Sequence, residues 1–424
     1  MEPQPAVIRP TAAELQAVRL KPLRAQPRPA IEAAAVVPLA DPADPANPVE
    51  PAALAPAAQE TPAHHPAAAR EVDKAAETDK EDVPAAAAQA VDSGIVDQAL
   101  PLPGQSAQPS YRAEMSLVSA LPAQLLQSDL AMLGDLHKRM GDDDGTAGNE
   151  RRAWGRMLRA DASMRQAGTV APQTTGHLNG FQVGHDLHAD QSFKVGLYVG
   201  QLEGHMRVDG IVRGTERGRA GCNRLQNRYL GAYGTWQDAA GPYVDTVLQR
   251  AAYRSQMHTD DNRHATVKGN GWLASLEVGK AHAINSQWHM EPQAQIIYRR
   301  VTLDDTLLDQ AQVTHQTQGG WTLRLGMRIK ARLTTTVGVL QPYGRFNVYR
   351  GNRSVDTARF ITSGTTTEIR SHGARNTSEL ATGGTLQLDP LTSLYCELGQ
   401  RRAHGADARM KGAVQASAGL KRYW

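Results

Sequence analysis

The sequence predicts an all-β fold for its last two-thirds, an antiparallel β-barrel that crosses a membrane. Three observations predict it. Segments after residue 151 alternate apolar and polar side chains, the connections between them alternate in length, and the last segment keeps its alternation up to Trp424. Because successive side chains of a strand point to opposite faces, each such segment has one apolar and one polar face.

The segment Trp288–Tyr298, WHMEPQAQIIY, shows the alternation most clearly. One face carries Trp288, Met290, Pro292, Ala294, Ile296 and Tyr298, and the other carries His289, Glu291, Gln293 and Gln295. The pattern recurs in segments that begin at Phe193, Trp272, Trp321, Leu340 and Leu394. A soluble β-sandwich would show the same alternation in any single strand, so the pattern alone leaves both folds open.

The lengths of the connections favour the barrel. We predict twelve strands, at residues 152–160, 178–188, 192–203, 226–238, 241–255, 268–282, 285–300, 317–332, 337–351, 376–388, 391–403 and 411–424. The connections are alternately tight and long, and the long ones are 161–177, 204–225, 256–267, 301–316 and 352–375. Outer-membrane barrels have an even number of strands, short periplasmic turns and longer extracellular loops, whereas a Greek-key sandwich has no such rhythm. Residues 151–424 are therefore predicted to form a twelve-stranded barrel.

Residues 1–110 differ sharply from the rest, since they are rich in Ala and Pro and contain no aromatic residue. Such a segment has little to bury and is predicted to be disordered. It contains neither a β-helix ladder nor an enzyme domain, and Met1–Pro22 lacks the apolar core of a secretory signal. We therefore expect the chain to be the tail of a longer precursor, with residues 1–110 as a linker or passenger remnant.

One helix is predicted between the two parts, within a linker of residues 111–150. It extends over Ala123–Met140, after Pro122 and before Gly141, which are residues typical of a helix start and stop. Eighteen residues at about 1.5 Å each give roughly 27 Å, close to the ~30 Å thickness of a bilayer core. A helix that packs on a soluble core fits the same periodicity.

Composition and motifs exclude several classes of function. The net charge is +3 and no dense block of Lys or Arg is present, so no nucleic-acid partner is predicted. Cys222 and Cys396 match no metal spacing, and the GxSxG, HExxH and Walker A motifs are absent. We predict no enzymatic activity, no catalytic residue, no cofactor and no metal.

Two groups of residues nevertheless suggest chemistry. His185 and His188 could bind a metal, but their spacing points them to opposite faces of a strand. His258, Asp260 and Asp261 could form the site of a barrel protease at the extracellular rim. General-base chemistry also needs an oriented partner, so a solvated, charged loop is the simpler interpretation.

Four segments, in this order along the chain, carry a family resemblance. WHMEPQAQIIY, GWTLRLGMR at Gly320–Arg328, QPYGRFNVYRG at Gln341–Gly351 and the closing GAVQASAGLKRYW resemble the translocator domain of autotransporters, the type V secretion proteins. Pertactin-like members are the most similar, because they also show a segment like Ser119–Asp142 before the barrel. The resemblance covers about Tyr111–Trp424.

The resemblance implies a twelve-stranded outer-membrane barrel with an α-helix in its pore, which exports an N-terminal passenger of adhesin or virulence-factor type to the cell surface. Eight strands leave room only for side chains and sixteen or more leave an aqueous channel, so twelve fit about one helix. The predicted partners are outer-membrane lipid, the barrel assembly machinery, periplasmic chaperones and the passenger. The barrel is predicted to be monomeric, and a porin or a barrel protease is the alternative function.

The predicted site is the contact between this helix and the lumen. Its helix residues are Leu126, Leu130, Asp135, Lys138 and Arg139, and its lumen-facing residues are Lys194, Glu277, Glu291, Gln293, Arg324, Arg345 and Glu397. Glu291 and Arg345 are the preferred partners of the helix charges. The alternative is that the lumen charges only hydrate the pore during export.

Two further expectations follow from the resemblance. The barrel-assembly signal is expected at Ala416, Ala418, Leu420 and Trp424, and Arg422 departs from the aromatic residue usual two positions before the end. Gly134 and Asp135 stand where serine-protease autotransporters have the Asn-Asn pair at which the passenger is cut. Self-cleavage at this position is therefore not predicted.

Overall fold

The computed structural model describes residues 109–141, 150–352, 355–373, 376–404, 409–410 and 413–424. The predicted disordered segment, residues 1–110, lies outside the described residues except for its last two. The described chain begins with a helical segment and continues as antiparallel strands.

Twelve long strands form the barrel wall. They are β1 (Arg152–Arg165), β2 (Gln173–Ala189), β3 (Phe193–Val212), β4 (Thr215–Gln237), β5 (Pro242–Thr259), β6 (His264–Lys280), β7 (Trp288–Leu303), β8 (Gly320–Ala331), β9 (Gly338–Gly351), β10 (Asn376–Asp389), β11 (Thr392–His404) and β12 (Ala413–Tyr423). Each strand pairs with its neighbours in the sequence, and β12 pairs with β1, with Ala418 opposite Met157. The sheet closes on itself, which confirms the predicted twelve-stranded antiparallel barrel.

The wall has an apolar outer face and a polar inner face. On β8, the side chains of Trp321 and Leu325 are 51% and 56% exposed, whereas Arg324 is 1% exposed. A soluble protein would bury the leucine and expose the arginine. Exposed apolar and buried charged side chains are typical of a barrel whose outer face contacts lipid.

Aromatic side chains mark both edges of the apolar band. Trp288 begins β7, and Tyr298 on the same strand contacts Trp272 and Trp321, with ring centroids 5.0 and 4.6 Å apart. The ten residue steps from Trp288 to Tyr298 span about 34 Å along a strand, or about 26 Å across a membrane if the strand is tilted by about 40°. This height matches the ~25 Å apolar band of outer-membrane barrels.

Several segments that were predicted to be loops are strands in the structure, so those predictions were wrong. β3 and β4 run through the predicted loop 204–225 and meet at a turn of two residues, Arg213 and Gly214. The other long connections also contain strand, and five short segments form a second sheet, namely Ala167–Gly168, Thr306–Leu308, Ala311–Gln316, Asp356–Ile361 and Thr366–His372. A strand needs only about 9–11 residues to cross a bilayer. The remaining residues extend beyond the apolar band, where no apolar outer face marks them in the sequence.

The helix also differs from its prediction. Helix α1 extends over Ala113–Leu133 and helix α2 over Leu136–Met140, so the helix begins ten residues before Ala123 and is broken near its end. Pro122 lies inside α1 rather than before it. A proline inside a helix costs about 3 kcal/mol, but its neighbours Leu121 and Leu125 are fully buried, so tertiary packing outweighs that cost.

Gly134 and Asp135 make the break between the helices. Gly134 has φ +60°, a conformation that glycine adopts without steric cost, and its N–H donates to Leu130 O at 3.1 Å. Asp135 then begins α2, since its side chain accepts a hydrogen bond of 2.9 Å from Lys138 N.

The two helices lie inside the barrel and run along it. Arg213, at the turn between β3 and β4, donates its N–H to Tyr111 O at 2.9 Å, just before α1. Tyr395, near the opposite end of the barrel, donates its hydroxyl to Arg139 O at 2.5 Å. The helix therefore enters at the end with the extended strands and reaches the end with the short turns. No helix in the described ranges is both long and apolar enough to cross a membrane.

Tyrosine rings on the lumen face lie over glycines of the adjacent strand. Tyr198 on β3 occupies the space beside Gly231 on β4, where an added Cβ would lie 2.1 Å from the ring carbon Cζ. Tyr233 on β4 covers Gly196 on β3 in the same way, with its hydroxyl 2.3 Å from where the Cβ would be. Glycine at these positions gives the rings the space they fill.

We expect the substitution Gly231→Ala to lower the thermal stability of the folded barrel, because overpacking typically costs about 1–3 kcal/mol. Gly234→Ala on the same strand is the control, since its Cβ would meet no heavy atom closer than 3.9 Å. The heat-dependent shift in electrophoretic mobility of the folded barrel measures both. Equal melting temperatures for the two variants would contradict the packing argument.

Candidate functional site: the pore and its helix

In the half of the lumen toward the extended strands, α1 is held by hydrogen bonds between uncharged polar groups. Apolar side chains surround these groups. Asn223 on β4 donates its amide to Gln124 Oε1 at 3.0 Å and to Leu117 O at 3.0 Å. Asn227, four residues along the same strand, donates to Ser128 Oγ at 2.7 Å. These hydrogen bonds satisfy polar groups that are fully buried, which offsets the free energy of removing them from water.

Asp129 is the charged contact of this half. Its fully buried carboxylate accepts hydrogen bonds from Arg299 Nε at 2.5 Å, from Tyr253 OH at 2.8 Å and from Tyr229 OH at 3.2 Å. The three donors come from β7, β5 and β4. A buried carboxylate is tolerated only when it is paired and hydrogen-bonded, so Asp129 fixes the depth of α1 in the lumen.

Arg156 on β1 binds the backbone where the helix breaks. Its guanidinium donates to Met132 O at 2.7 Å and to Lys138 O at 3.1 Å, while Nε donates to Gln182 Oε1 at 2.7 Å. The last carbonyl groups of a helix have no partner within the helix. Arg156 supplies that partner from the wall for both α1 and α2.

Every charged side chain of α2 and its cap contacts an opposite charge on the wall. Asp135 pairs with Arg345 on β9, and its carboxylate also lies 3.6 Å from Arg324 Nη1 on β8. Lys138 Nζ lies 2.6 Å from Glu379 on β10 and 3.5 Å from Glu397 on β11.

Arg139 and His137 of α2 face the other side of the lumen. Arg139 Nη2 lies 2.7 Å from Asp245 Oδ2 on β5, and His137 Nε2 lies 2.7 Å from Glu291 Oε1 on β7.

The wall places acids beside Lys138 and Arg139 and arginines beside Asp135. Asp245 and Glu277 stand directly opposite each other on β5 and β6, which is unfavourable for two like charges unless cations neutralise them. Arg139 of the helix pairs with the first, and Arg324 Nη2 lies 3.0 Å from the second. Arg324 and Arg345 both contact Asp135, so the observed rotation of α2 gives Asp135, Lys138 and Arg139 each an oppositely charged partner on the wall.

The predicted lumen residues lie on the inner face, and most belong to this network. Glu291, Arg324, Arg345 and Glu397 make the contacts above, and Gln293 joins two of them, since it donates to Glu291 at 2.7 Å and accepts from Arg324 at 3.0 Å. Lys194 is half-buried near the start of β3. Leu126 and Leu130 are partly buried, and the polar positions Gln124 and Ser128 are buried more completely. The helix therefore has no solvated polar face.

Sequence analysis missed several charged residues of these contacts. The missed residues are Asp129, His137, Arg156, Asp245, Arg299 and Glu379. Asp245 and Glu379 occupy polar positions of alternating strands, so the pattern that found Glu291 could have found them. Asp129 could have been recognised as a carboxylate next to Ser128 in a segment otherwise rich in leucine.

The four residues of the expected assembly signal lie on the outer face of the last strand. Ala416, Ala418, Leu420 and Trp424 are all exposed, and the Trp424 ring stacks on His185 with centroids 4.9 Å apart. The Trp424 N–H donates to Arg151 O at 3.0 Å, just before β1.

The residues considered for metal or protease chemistry do not converge. His258 on β5 contacts the ring of His264 at 4.7 Å, whereas Asp260 and Asp261 pair with Arg219 and Arg213 at the tips of the hairpins. Over the described ranges, no group of three or more His, Cys, Asp or Glu side chains is placed to hold a metal ion.

The start of α1 is held by a further ion cluster at the outer mouth. Glu114 accepts hydrogen bonds from Arg112 at 2.8 Å and from Arg263 at 2.9 Å. Burial raises the pKa of this carboxyl, but the two guanidinium groups lower it by more, so the pKa lies below its usual value. Beside Glu114 is a cavity of about 340 Å³ that Met257, Thr259 and Leu308 also line.

We expect Asp135→Ala to loosen α2, because it removes one partner of a buried ion pair and the cap of the helix, and such changes cost about 3–5 kcal/mol. Amide hydrogen exchange of residues 135–141 measures the effect, with rates rising by about 100-fold or more. Gln127→Ala on the partly buried side of α1 is the control. Unchanged exchange at 135–141 in the Asp135 variant would show that the network does not hold α2.

Comparisons with known proteins agree on one family. Residues 153–399 match the family model described as the autotransporter beta-domain. The BrkA autotransporter of Bordetella pertussis is 28% identical over 158 residues, which cover 35% of this chain and 15% of that protein. The pertactin autotransporter of Bordetella bronchiseptica is 28% identical over 270 residues, which cover 62% of this chain and 27% of that protein. The matched region thus spans about a quarter or less of these relatives.

A solved structure shows the same fold. The transport unit of the autotransporter AIDA-I from Escherichia coli superposes with a TM-score of 0.55 at 17% identity, covering 74% of this chain and 100% of that one. At this identity the likeness concerns the fold, a barrel with strands in the same arrangement.

Proposed function

The chain belongs to the autotransporter β-domain family, and from this premise we propose that it carries a passenger, joined to its N-terminal side, across the outer membrane to the cell surface. Members of this family are outer-membrane barrels that serve as transport units. The passenger and its activity are part of the proposal, because the relatives are several times longer than the region they share with this chain.

The direction of the helix carries the proposal. Short turns of outer-membrane barrels face the periplasm, and the longer connections face the cell exterior. Here residues 190–192 and 390–391 connect strands at one end, whereas the two longest connections, 304–319 and 352–375, lie at the other end, together with the hairpin of β3 and β4 that extends beyond the apolar band. Ala113 is at the exterior end and Met140 at the periplasmic end. A segment N-terminal to α1 therefore leaves the pore on the outside, as an exported passenger must.

Three further features belong to the proposal. The barrel assembly machinery and periplasmic chaperones are its proposed partners, and the support is the apolar outer face of β12, which closes the barrel against β1. We also propose that the chain has no enzymatic activity of its own, since members of the family act as transport units. The proposed adhesin or virulence-factor passenger is supported by the pertactin-like motifs of the sequence.

A reporter tests the export of a passenger. We expect an epitope tag fused before residue 109, behind a secretory signal, to become accessible to protease added to intact cells. Deletion of Ala413–Trp424 removes β12 and should abolish this accessibility, because the barrel cannot close. A tag that stays in the periplasm while the barrel is folded in the outer membrane would contradict export.

Conductance separates a plugged translocator from a porin. We expect the purified barrel to conduct weakly in planar bilayers and a variant that lacks Ala113–Met140 to conduct steadily, because twelve strands enclose about one helix. A variant that lacks residues 1–108 but keeps the helix is the control, and it should behave like the full chain. A large, steady current through the full chain would indicate a porin.

A further inference from the structure

The outer face of β4–β7 carries a group of cations just beyond the apolar band. We call it the basic face, and it consists of Arg224, Arg228, Arg250, Arg254, Lys268 and Arg300. All six side chains are exposed and point away from the lumen, because they alternate with buried residues along each strand. Six outward cations on four adjacent strands need either solvent or an anion.

The basic face begins at the outer aromatic edge of the membrane band. Arg250 and Arg300 stand directly on either side of Trp272, in register on β5, β6 and β7. Trp272 belongs to the aromatic group with Tyr298 and Trp321, which marks the exterior edge of the band. Aromatic rings of barrels lie at headgroup level, so these two arginines are at the height of the headgroups.

The other cations extend the basic face outward by a limited distance. Lys268 lies four residues beyond Trp272 on β6, which is about 13 Å along the strand and about 10 Å above the aromatic edge for a tilt of about 40°. Arg254 is opposite Lys268. The basic face therefore covers the headgroup layer of the outer leaflet and ends near its surface.

These cations lack protein partners. Arg254 and Lys268 face each other across the strand pair, an arrangement of like charges that is unfavourable by itself. Over the described residues, none of the six forms an ion pair with a carboxylate. Two acids lie at its border, where Glu203 stands opposite Gln226 and the Asp304 N–H donates to Lys268 O. By contrast, Asp260 and Asp261 at the hairpin tips are each paired with arginine.

We propose that the basic face binds the phosphate groups of the phosphorylated glycolipid in the outer leaflet. Arginine binds phosphate through two parallel hydrogen bonds, and lysine binds it as a point charge. Clusters of cations beside a membrane span are the usual recognition site for anionic headgroups. A bound phosphate between Arg254 and Lys268 also removes the repulsion between them, and it ties one side of the barrel to the leaflet.

Native mass spectrometry of the full chain in detergent tests this binding, with lipid A carrying two phosphates as the probe. The test variant combines Arg250→Gln, Arg254→Gln, Lys268→Gln and Arg300→Gln. We expect the wild-type chain to retain lipid A and the variant to retain at least about tenfold less. Lipid A stripped of both phosphates should bind the wild-type chain as weakly as the variant binds the intact lipid.

A variant with two substitutions keeps the test decisive if the variant with four substitutions does not fold. Arg254→Gln with Lys268→Gln should weaken retention severalfold, whereas the matched pair Arg350→Gln with Arg402→Gln, exposed cations on β9 and β11, should leave it within twofold. Heat-dependent gel mobility confirms that each barrel is folded. Equal loss from both pairs, or equal retention of phosphorylated and stripped lipid, would overturn the proposal. So would tight binding of heparin by the basic face without binding of lipid A, since the partner would then be a soluble polyanion.

Discussion

Closure of the sheet is the constraint on which the rest of the structure depends. Within lipid, an unpaired backbone N–H or C=O costs several kcal/mol, so a membrane sheet cannot keep an open edge. The pairing of β12 with β1, from Tyr423 opposite Arg152 to Gln415 opposite Ala160, removes that edge. A closed sheet has an inside that lipid cannot reach. The alternation that gives the wall an apolar outer face therefore gives it a polar inner face, and a wall of twelve strands leaves a lumen for about one helix.

The polar lumen in turn determines which side chains the helix can have. Buried ion pairs add little net stability, because desolvation offsets their attraction, but they discriminate strongly between arrangements. In the observed orientation of α2, the arginines on β8 and β9 lie beside Asp135 and the acid on β5 lies beside Arg139. The network thus selects the rotation and depth of α2, while the apolar contacts of Leu117, Leu121 and Leu125 along α1 supply the burial that stabilises the helix in the pore.

The sequence predicted those parts of the fold in which apolar and polar residues follow a simple periodic pattern. Alternation such as that of Trp288–Tyr298 predicted the strands, the two faces of the wall and the inner position of Glu291 and Arg345, because lipid outside and water inside impose a period of two. It did not predict the extensions of β3 and β4, because strands beyond the lipid have no apolar outer face. The start of α1 was misplaced because Pro122 is a local signal for a helix start, whereas burial of Leu117 and Leu121 by the barrel is a tertiary effect. Contacts such as Asp129 with Arg299 depend on depth in the lumen, which no local pattern encodes.

The break at Gly134 separates two modes of holding the helix. Beyond it, toward the exterior, α1 is held by leucines, amides and hydroxyls, and by two carboxylates, Glu114 at its start and Asp129 with three donors. On the periplasmic side, α2 and its cap residue Asp135 form ion pairs with five strands, β5, β8, β9, β10 and β11, and Arg156 binds carbonyl groups of both helices at the junction. Charged contacts require the partners to be in place together, because each one left alone is a buried, unpaired charge. Apolar contacts form progressively as a helix slides past a wall. The charged contacts of α2 therefore define one position of the helix along the pore, while the apolar contacts of α1 contribute burial to it.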